Sequence, residues 1–222
     1  MKFDTASMLQ GTYNSPLGRI RLAASALGLA GLWFEGQRHM PWQVFAPLQA
    51  SGKAPVSAAW PQAPDSHALL QQTCRWLDAY FADEATADLP PLFHLPLDLS
   101  GGTAFQQAVW QALLLIPASS TASYAAISQS IGKPSAVRAV GAAIGRNPIS
   151  ILVPCHRVVA SGNGALTGYA GGLERKAALL ALEGVVLPSL PGSTAVRRLA
   201  PSSADNRFLS RHLPGIPEAL PI

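Results

Sequence analysis

The sequence predicts an α/β (α+β) protein. An N-terminal β-sheet domain with a covering helix (residues 1–98) precedes a mostly helical C-terminal domain (residues 99–186) and a tail (residues 187–222). In the first 35 residues, apolar residues alternate with polar ones between glycines and prolines, which is typical of short strands. Apolar residues recur at helical spacing in the later segments. A content of 49% hydrophobic and 13% charged residues indicates a globular chain with a buried core.

The N-terminal domain begins with a predicted hairpin or small meander. Thr12-Tyr13 leads to a turn over Asn14 to Gly18, which contains Pro16. The alternating residues Ile20 and Leu22 then predict a second strand, and the apolar run from Leu29 to Phe34 predicts a third. Residues 40–64 are rich in Pro, Ala and Ser, so we expect a loop there.

A helix is predicted from His67 to Phe81, where the apolar residues form one stripe that includes Cys74. Because free cysteines are among the most buried residues, the stripe favours core packing for Cys74 over any chemistry. The proline-containing segment 85–98 is expected to be a linker between the domains.

Four helices are expected in the C-terminal domain. The first two run from Phe105 to Leu115 and from Thr121 to Ile131, and Ser135 is expected to cap a third that ends at Ile144. The second and third helices have the spacing of a helix-turn-helix, although many helical hairpins with this spacing bind nothing. The fourth helix runs from Glu174 to Leu182.

Composition argues against several classes of protein. No apolar run approaches the roughly 20 residues of a membrane span, and the N-terminus lacks the pattern of a secretory signal. Two cysteines do not make a disulfide framework and favour the reducing cytoplasm. The five histidines lack metal-ligand spacing, so no metal is expected.

Charge is distributed unevenly along the chain. No Asp or Glu occurs from Leu99 to Leu173, whereas Lys133, Arg138, Arg146 and Arg157 fall in this window. A surface built from such a segment can approach a phosphate backbone without like-charge repulsion. The charge pattern alone is equally compatible with an apolar domain that binds no nucleic acid.

The most informative segment is Pro154-Cys155-His156-Arg157-Val158, which follows the apolar run Ile149 to Val153. We expect that run to be a buried strand with Cys155 at its end. A thiol needs a nearby base or positive charge to become the thiolate that attacks carbon, and His156 and Arg157 are candidates for both roles. The pentapeptide alone favours an inert core cysteine.

The surrounding motifs reverse that preference. In order, they are Val109-Trp110-x-Ala112-Leu113, Ile116-Pro117, Ser123-Tyr124-x-x-Ile127, Ile131-Gly132-x-Pro134, Arg138-Ala139-Val140-Gly141, Asn147-Pro148-Ile149, the Cys155 pentapeptide, Gly168-Tyr169-x-Gly171-Gly172 and Leu182-Glu183-Gly184. Their order and spacing resemble the O6-alkylguanine-DNA alkyltransferases, also called methylated-DNA–protein-cysteine methyltransferases. Ser15 to Gly18 with Gly31 to Phe34 resembles the family's N-terminal domain more loosely, and the resemblance covers residues 10–186.

The resemblance implies DNA repair by irreversible transfer of an alkyl group from O6 of guanine to the protein's own cysteine, without a cofactor. Transfer from O4 of thymine and the preferred alkyl length stay open. By this resemblance Cys155 is the acceptor, His156 its base through a water, Glu183 the residue that orients His156, and Asn147 the residue that holds the preceding turn. The alternatives are a structural histidine at His156 and a solvated helix end at Glu183.

The resemblance also implies duplex DNA as the partner, bound through the minor groove by the second helix of the helix-turn-helix, with the target base flipped out. Arg138 resembles the residue that fills the gap in the base stack, and Tyr124 the one that rotates the target's 3′ phosphate. The remaining predicted DNA contacts are Ser123, Ser135, Ala136, Ala139, Gly141 and Arg146. The small residues among them, Ser135, Ala136, Ala139 and Gly141, form a helix face that could instead pack against another helix. The predicted walls of the alkylguanine pocket are Tyr169, Val158, Val159 and Ser161.

Two features depart from the family, and the tail lies outside its pattern. The basic residue after the recognition helix sits at Arg146, adjacent to Asn147, rather than earlier as in the family. The family usually has a glycine where this chain has Ser119, for which a modest backbone adjustment is expected. The tail has many prolines, four arginines and no apolar period, so we expect it to be dispensable. We expect a cytoplasmic monomer without a membrane partner.

Three rival functions are disfavoured, two by the cysteines and one by the chemistry of an alkylated thiol. A DNA-binding module without catalysis, like the alkyltransferase-like proteins, would lack Cys155. A transcription regulator that carries this domain as a sensor would need a further cysteine-rich metal domain, for which the chain has no cysteines beyond Cys74 and Cys155. A thiol hydrolase would need to release its alkyl group, and a thioether offers water no easy route.

Overall fold

The computed structural model describes residues 8–41, 64–82, 95–162 and 164–185. Its elements in chain order are β1 (Leu9–Ser15), β2 (Gly18–Ser25), β3 (Gly28–Phe34), α1 (Pro64–Phe81), α2 (Ala104–Leu113), β4 (Ala122–Ser123), α3 (Tyr124–Ser130), α4 (Val137–Gly145), a 3₁₀ helix (Cys155–Arg157), β5 (Val158–Val159) and α5 (Leu173–Leu182). The predicted α+β class is confirmed.

The N-terminal sheet is an antiparallel meander with the order β1-β2-β3, as predicted. Its register pairs Tyr13 with Ile20 and Ile20 with Phe34. One face carries Ile20, Leu22 and Phe34, which pack in the main core with residues of α1. Cys74 on α1 is half-buried against this core, which confirms its predicted packing role.

The opposite face of the sheet is covered by a second apolar cluster around Trp33. The indole lies directly over Gly31, where a Cβ atom would stand 1.8 Å from a ring carbon of Trp33. Only glycine allows this approach, because no side-chain carbon tolerates so short a contact. Both faces of β3 are therefore buried, and every residue of the strand is buried.

The edge of β3 that does not face β2 pairs with two short segments from farther along the chain. Leu29 bridges Leu97, and Leu32 bridges Ile149, both in parallel orientation. The amide of Leu32 donates to Pro148 O (2.9 Å), and the amide of Ser150 donates to Leu32 O (2.8 Å). The N-terminal sheet thus holds the segment that leads to Cys155, because unpaired edge groups favour such pairing.

The helical part is built around α2, α3 and α4. Thr103 and Gln106 form a capping box that begins α2, which satisfies amide groups at the helix start. Trp110 on α2 is fully buried, and its Nε1 donates to Ala143 O on α4 at 2.9 Å. Truncating such a side chain to alanine typically costs about 3–5 kcal/mol of stability. This contact therefore fixes α4 on α2.

Several predicted boundaries are wrong. The last residues of the predicted linker 85–98 pair with the sheet: Leu97 bridges β3, and the amide of Asp98 donates to Leu29 O (2.8 Å). Residues 122–123 are not helical, because they form β4, which pairs in parallel with β5. Ser135 does not cap the third helix of the C-terminal domain: the N-cap is Ala136, with no side-chain hydrogen bond.

Other predictions fall on residues outside the described ones. These are most of the loop 40–64, the linker up to residue 94, and the tail 187–222. Among the described residues, no helix is long and apolar enough to cross a membrane.

Candidate active site

A tight turn, and not the expected strand, delivers Cys155. Residues 150–153 form turns and bends after the single bridge at Ile149, and Ile151 has a φ of 70°. A positive φ is unusual for a β-branched residue and requires strong surrounding constraints. The apolar run 149–153 is buried in the main core as a turn. Its hydrophobicity therefore reflects burial and does not indicate a strand.

Asn147 supplies those constraints from inside the turn. Its side-chain oxygen accepts from the amide of Ile149 (3.0 Å), and its Nδ2 lies 2.7 Å from Val153 O. The same Nδ2 lies 3.0 Å from Cys155 Sγ. An amide side chain offers both a donor and an acceptor, so one residue can hold the turn and contact the thiol.

The Cys155 thiol is only 4% exposed. Burial raises its pKa, because an apolar surrounding disfavours the thiolate, while the Asn147 hydrogen bond and the charge of Lys176 act in the opposite direction. Cys155 is therefore mainly a thiol at neutral pH and needs a base to become nucleophilic.

His156 and Glu183 form a buried pair beside it. His156 Nε2 lies 2.8 Å from Glu183 Oε1, and neither side chain is exposed. The pKa of Glu183 is lowered to about 2, mainly by hydrogen bonds and charges from His156 and Arg157 that outweigh its burial. An ionised carboxylate only accepts, so Nε2 carries the proton and Nδ1 keeps a lone pair.

The Nδ1 atom of His156 is buried and has no hydrogen-bond partner among the described residues. Burial lowers the pKa of His156, Glu183 raises it, and the charges of Arg157 and Lys176 lower it further. The net direction is downward, so the imidazole is neutral near pH 7 and can accept a proton at Nδ1.

Arg157 does not supply a positive charge to the thiol, as the sequence had suggested it could. Its Nε and Nη2 bind the two oxygens of Glu183 at 2.8 Å each, and Nη1 donates to Ile116 O at 2.6 Å. The guanidinium is thus committed to the carboxylate, because a bidentate pair is the geometry that Arg prefers. The alternative of a solvated helix end at Glu183 is excluded by its 1% exposure.

Lys176 is the cation whose charge acts on Cys155, and sequence reasoning missed it. The side chain is fully buried, and its Nζ donates to Val158 O and to Thr167 O (2.8 Å for the latter). Its pKa is lowered to about 8, mainly by burial. A signal was present: Lys176 lies three and four residues before the buried Leu179 and Leu180, on the same helix face.

A cleft of about 360 Å³ opens between α3, α4, the segment after β3 and the loop that precedes α5. Its lining comprises Arg38, His39, Tyr124, Gly141, Gly145, Thr167, Gly168, Tyr169 and Ala170. The hydroxyl of Tyr124 donates to Thr167 O (3.1 Å) and so spans the cleft wall. A volume of this order lies at the lower end of the range of small-molecule pockets, about 300–1,000 Å³.

The predicted pocket residues are only partly brought together. Tyr169 is buried and lines the cleft, whereas Ser161 lies in an exposed turn. Val158 and Val159 are buried in β5, directly after the 3₁₀ helix of Cys155. β5 pairs with β4, so the segment after Cys155 lies beside the start of α3.

The predicted DNA contacts of α4 and its flanks lie on an accessible surface. The exposed members are Ser135, Arg138, Ala139 and Arg146, while Ala136 and Gly141 are partly buried. Helix α4 packs on its neighbours through Val140, Ala143 and Ile144 instead. The alternative that the small-residue face packs on another helix is therefore excluded for Ala139. Ser123 uses its hydroxyl to cap α3, accepting from the amide of Ala126 at 3.1 Å.

Within the described residues, no group of three or more His, Cys, Asp or Glu side chains could hold a metal ion.

Two family models match the chain. Residues 8–99 match the ribonuclease-like domain of 6-O-methylguanine DNA methyltransferase, and residues 104–185 match its DNA-binding domain.

Curated relatives match over most of their length. A methylated-DNA–protein-cysteine methyltransferase of Mycobacterium leprae is 44% identical over 77% of this chain and 88% of the relative. One of Methanosarcina acetivorans is 40% identical over 80% of this chain and 99% of the relative. The chain belongs to the 6-O-methylguanine DNA methyltransferase family.

Solved structures of this methyltransferase family have the same fold. The O6-methylguanine methyltransferase of Mycobacterium tuberculosis is 41% identical, with a TM-score of 0.59 over 79% of this chain and 92% of that chain. A crystal structure of M. tuberculosis OGT in complex with DNA gives 41% identity and a TM-score of 0.57 over 78% of this chain and 90% of that one.

Family membership confirms the predicted activity class. The protein is a DNA-repair methyltransferase that acts by direct alkyl transfer, and it binds DNA. The motifs around Cys155 therefore identified both the family and the reaction correctly from the sequence.

Proposed function

We propose that Cys155 takes the alkyl group from O6-alkylguanine in duplex DNA in a single irreversible turnover. The observation that carries this assignment is one buried cluster, in which Asn147 contacts the Cys155 thiol and the adjacent His156 is bound to Glu183. Cys74 is not a competing acceptor, because it packs against the core of the N-terminal domain, and burial raises its pKa.

In this mechanism the thiol proton passes through a water molecule to His156 Nδ1, the lone-pair nitrogen. Glu183 holds the opposite nitrogen and stabilises the imidazolium that forms. The Cys155 sulfur then attacks the alkyl carbon, the bond from that carbon to O6 breaks, and its electron pair returns to guanine, which takes up a proton. The thioether has no easy leaving group, so the protein is consumed.

The DNA is proposed to dock on α4 through its minor groove, with the target base flipped into the cleft. Support comes from the exposed face of Arg138 and Ala139 and from the absence of Asp or Glu between Leu99 and Leu173. Arg138 is proposed to occupy the gap left in the base stack, and Arg146 to contact a phosphate. Because the acceptor must be a free thiol, we propose that the protein works as a monomer in the reducing cytoplasm.

A stoichiometric reaction with a duplex oligonucleotide carrying O6-methylguanine tests this function. We expect intact-mass spectrometry to show one added methyl group per protein molecule, and peptide mapping to place it on Cys155. Cys155→Ser should show no transfer, while Cys74→Ser, the matched control, should react as the wild type does. Multiple turnover, or a methyl group on Cys74, would overturn the assignment.

A further inference from the structure

One oxygen of Glu183 is shared by donors from two separate parts of the fold. Oε1 accepts from His156 Nε2 and Arg157 Nη2, each at 2.8 Å, and also from the hydroxyl of Tyr80 at 2.8 Å. Tyr80 belongs to α1, which covers the N-terminal sheet, and lies 103 residues from Glu183 in the sequence. Sequence reasoning gave Tyr80 no role beyond the apolar stripe of α1.

The Tyr80 ring is fixed by its surroundings. It is 1% exposed, stacks on Trp76 with ring centroids 5.2 Å apart, and meets Phe81 edge-on at 5.2 Å. A ring held on two sides in a packed core directs its hydroxyl to one place. The buried hydroxyl is therefore a preorganised donor to the carboxylate and not a side chain that bonds by chance.

We propose that Tyr80 is a positioning residue for alkyl transfer: it fixes the Glu183 carboxylate and weakens the pull of that carboxylate on the proton of His156. This inference rests on the proposed role of His156 as the base for Cys155. Each hydrogen bond to a carboxylate oxygen stabilises its negative charge, so less of that charge is offered to the neighbouring imidazole.

The other charged and titratable groups around His156 act with or against this effect. Glu183 favours the imidazolium, whereas Arg157 and Lys176 disfavour it. Cys155 is adjacent in the chain, and Tyr169 faces Glu183 as a neutral phenol, because burial holds its pKa well above the usual value. Tyr80 thus joins Arg157 and Lys176 in keeping His156 neutral and able to accept a proton.

The test is Tyr80→Phe, which keeps the ring and its stacking and removes only the hydroxyl. Single-turnover transfer from free O6-benzylguanine is measured with the full chain across about pH 5 to 9, where histidine titrates. We expect the acid limb of the profile to move to higher pH by about 0.5 unit or more, because Glu183 then attracts the His156 proton more strongly. We also expect a few-fold lower plateau, because the Glu183 carboxylate that orients His156 is no longer fixed by Tyr80.

Tyr13→Phe is the matched control, because the Tyr13 hydroxyl also donates to a carboxylate of α1, Asp78 Oδ1, at 2.9 Å. Its profile should coincide with that of the wild type. If Tyr80→Phe does not fold, a fluorinated tyrosine at position 80 keeps the hydroxyl and strengthens it as a donor, and the acid limb should then move to lower pH.

An acid limb unchanged in both Tyr80 variants, or moved equally by Tyr13→Phe, overturns the positioning role. Failure of the underlying function gives a different result: His156→Ala would then keep the wild-type rate and profile, or the benzyl group would be found on a residue other than Cys155.

Discussion

At the residue scale, Glu183 links His156, the proposed base, to residues from other parts of the protein. Its carboxylate accepts bonds from His156, Arg157 and Tyr80, and its backbone oxygen accepts from the Ser119 hydroxyl at 2.6 Å. Ser119 has a φ of 62°, in the left-handed region that favours glycine. The chain therefore keeps the backbone shape expected of a glycine there and adds a hydrogen bond to the residue that holds His156.

Two substitutions at Ser119 should separate strain from hydrogen bonding. Ser119→Ala keeps the unfavourable φ and loses the bond, so we expect a loss of about 1 kcal/mol in the free energy of unfolding. Ser119→Gly loses the same bond but relieves roughly 1 kcal/mol of backbone strain, so we expect stability close to that of the wild type. Urea unfolding of both variants measures the difference. Equal destabilisation by the two substitutions would show that the φ carries no cost.

At the element scale, α4 divides its residues by face. Val140, Ala143 and Ile144 are buried against α2 and α3, while Arg138 and Ala139 are exposed. The helix begins without a side-chain cap; the backbone turn in which the amide of Ala136 donates to Lys133 O (2.8 Å) leads into it. Its packing therefore holds the exposed face in place, which supports the proposed docking of that face in the minor groove.

Arg138→Ala should reduce repair of duplex DNA far more than transfer from free O6-benzylguanine. A flipped base costs a few kcal/mol of unstacking, which Arg138 is proposed to offset and which a free base does not require, so a loss on the order of 10- to 100-fold is expected for the duplex alone. Single-turnover rates on both substrates measure this.

Lys133→Ala is the matched control, because Lys133 is an exposed cation of the connecting turn and not of α4. It should weaken duplex binding by the loss of one positive charge, but at saturating DNA it should leave the ratio of the two single-turnover rates close to that of the wild type. Equal losses on both substrates in Arg138→Ala would contradict the stacking role.

At the scale of the whole molecule, the N-terminal domain supports the active site in three places. The edge of β3 pairs with residues 148–150, the Ser150 hydroxyl donates to Gln37 Oε1 at 3.0 Å, and Tyr80 reaches Glu183. Through these contacts the N-terminal domain holds both the turn before Cys155 and the Glu183 carboxylate that binds His156. Folding of the N-terminal sheet is thus coupled to the geometry of Cys155, His156 and Glu183.

Acid should destabilise the whole protein through Glu183. Its pKa falls from the ordinary 4.5 to about 2 on folding, so the unfolded chain binds more protons between these pH values. Stability from this carboxylate is therefore fully present above about pH 4.5 and is lost as the pH falls towards 2. Urea unfolding from neutral pH down to about pH 3 measures the loss, and Glu183→Gln should show a smaller dependence across this window. Equal slopes in the two proteins would contradict this assignment.

The sequence by itself determined the family, the reaction, the neighbours of Cys155 (the proposed acceptor) along the chain, and the main helices and strands. These follow from linear motifs and from apolar periodicity, which encode local backbone hydrogen bonding and the buried face of each element. The same local signals misassigned Ile149 to Val153, because a buried apolar run has the same composition whether it is a strand or a turn.

The tertiary structure alone decided which groups surround Cys155 and His156. It placed Tyr80 on Glu183, turned Arg157 away from the thiol, and buried Lys176 with its charge acting on Cys155. Such contacts join residues that are far apart in the chain or place charge inside the core. They depend on how elements pack and on the cost of burying each charge without a partner, which no local pattern of residues specifies.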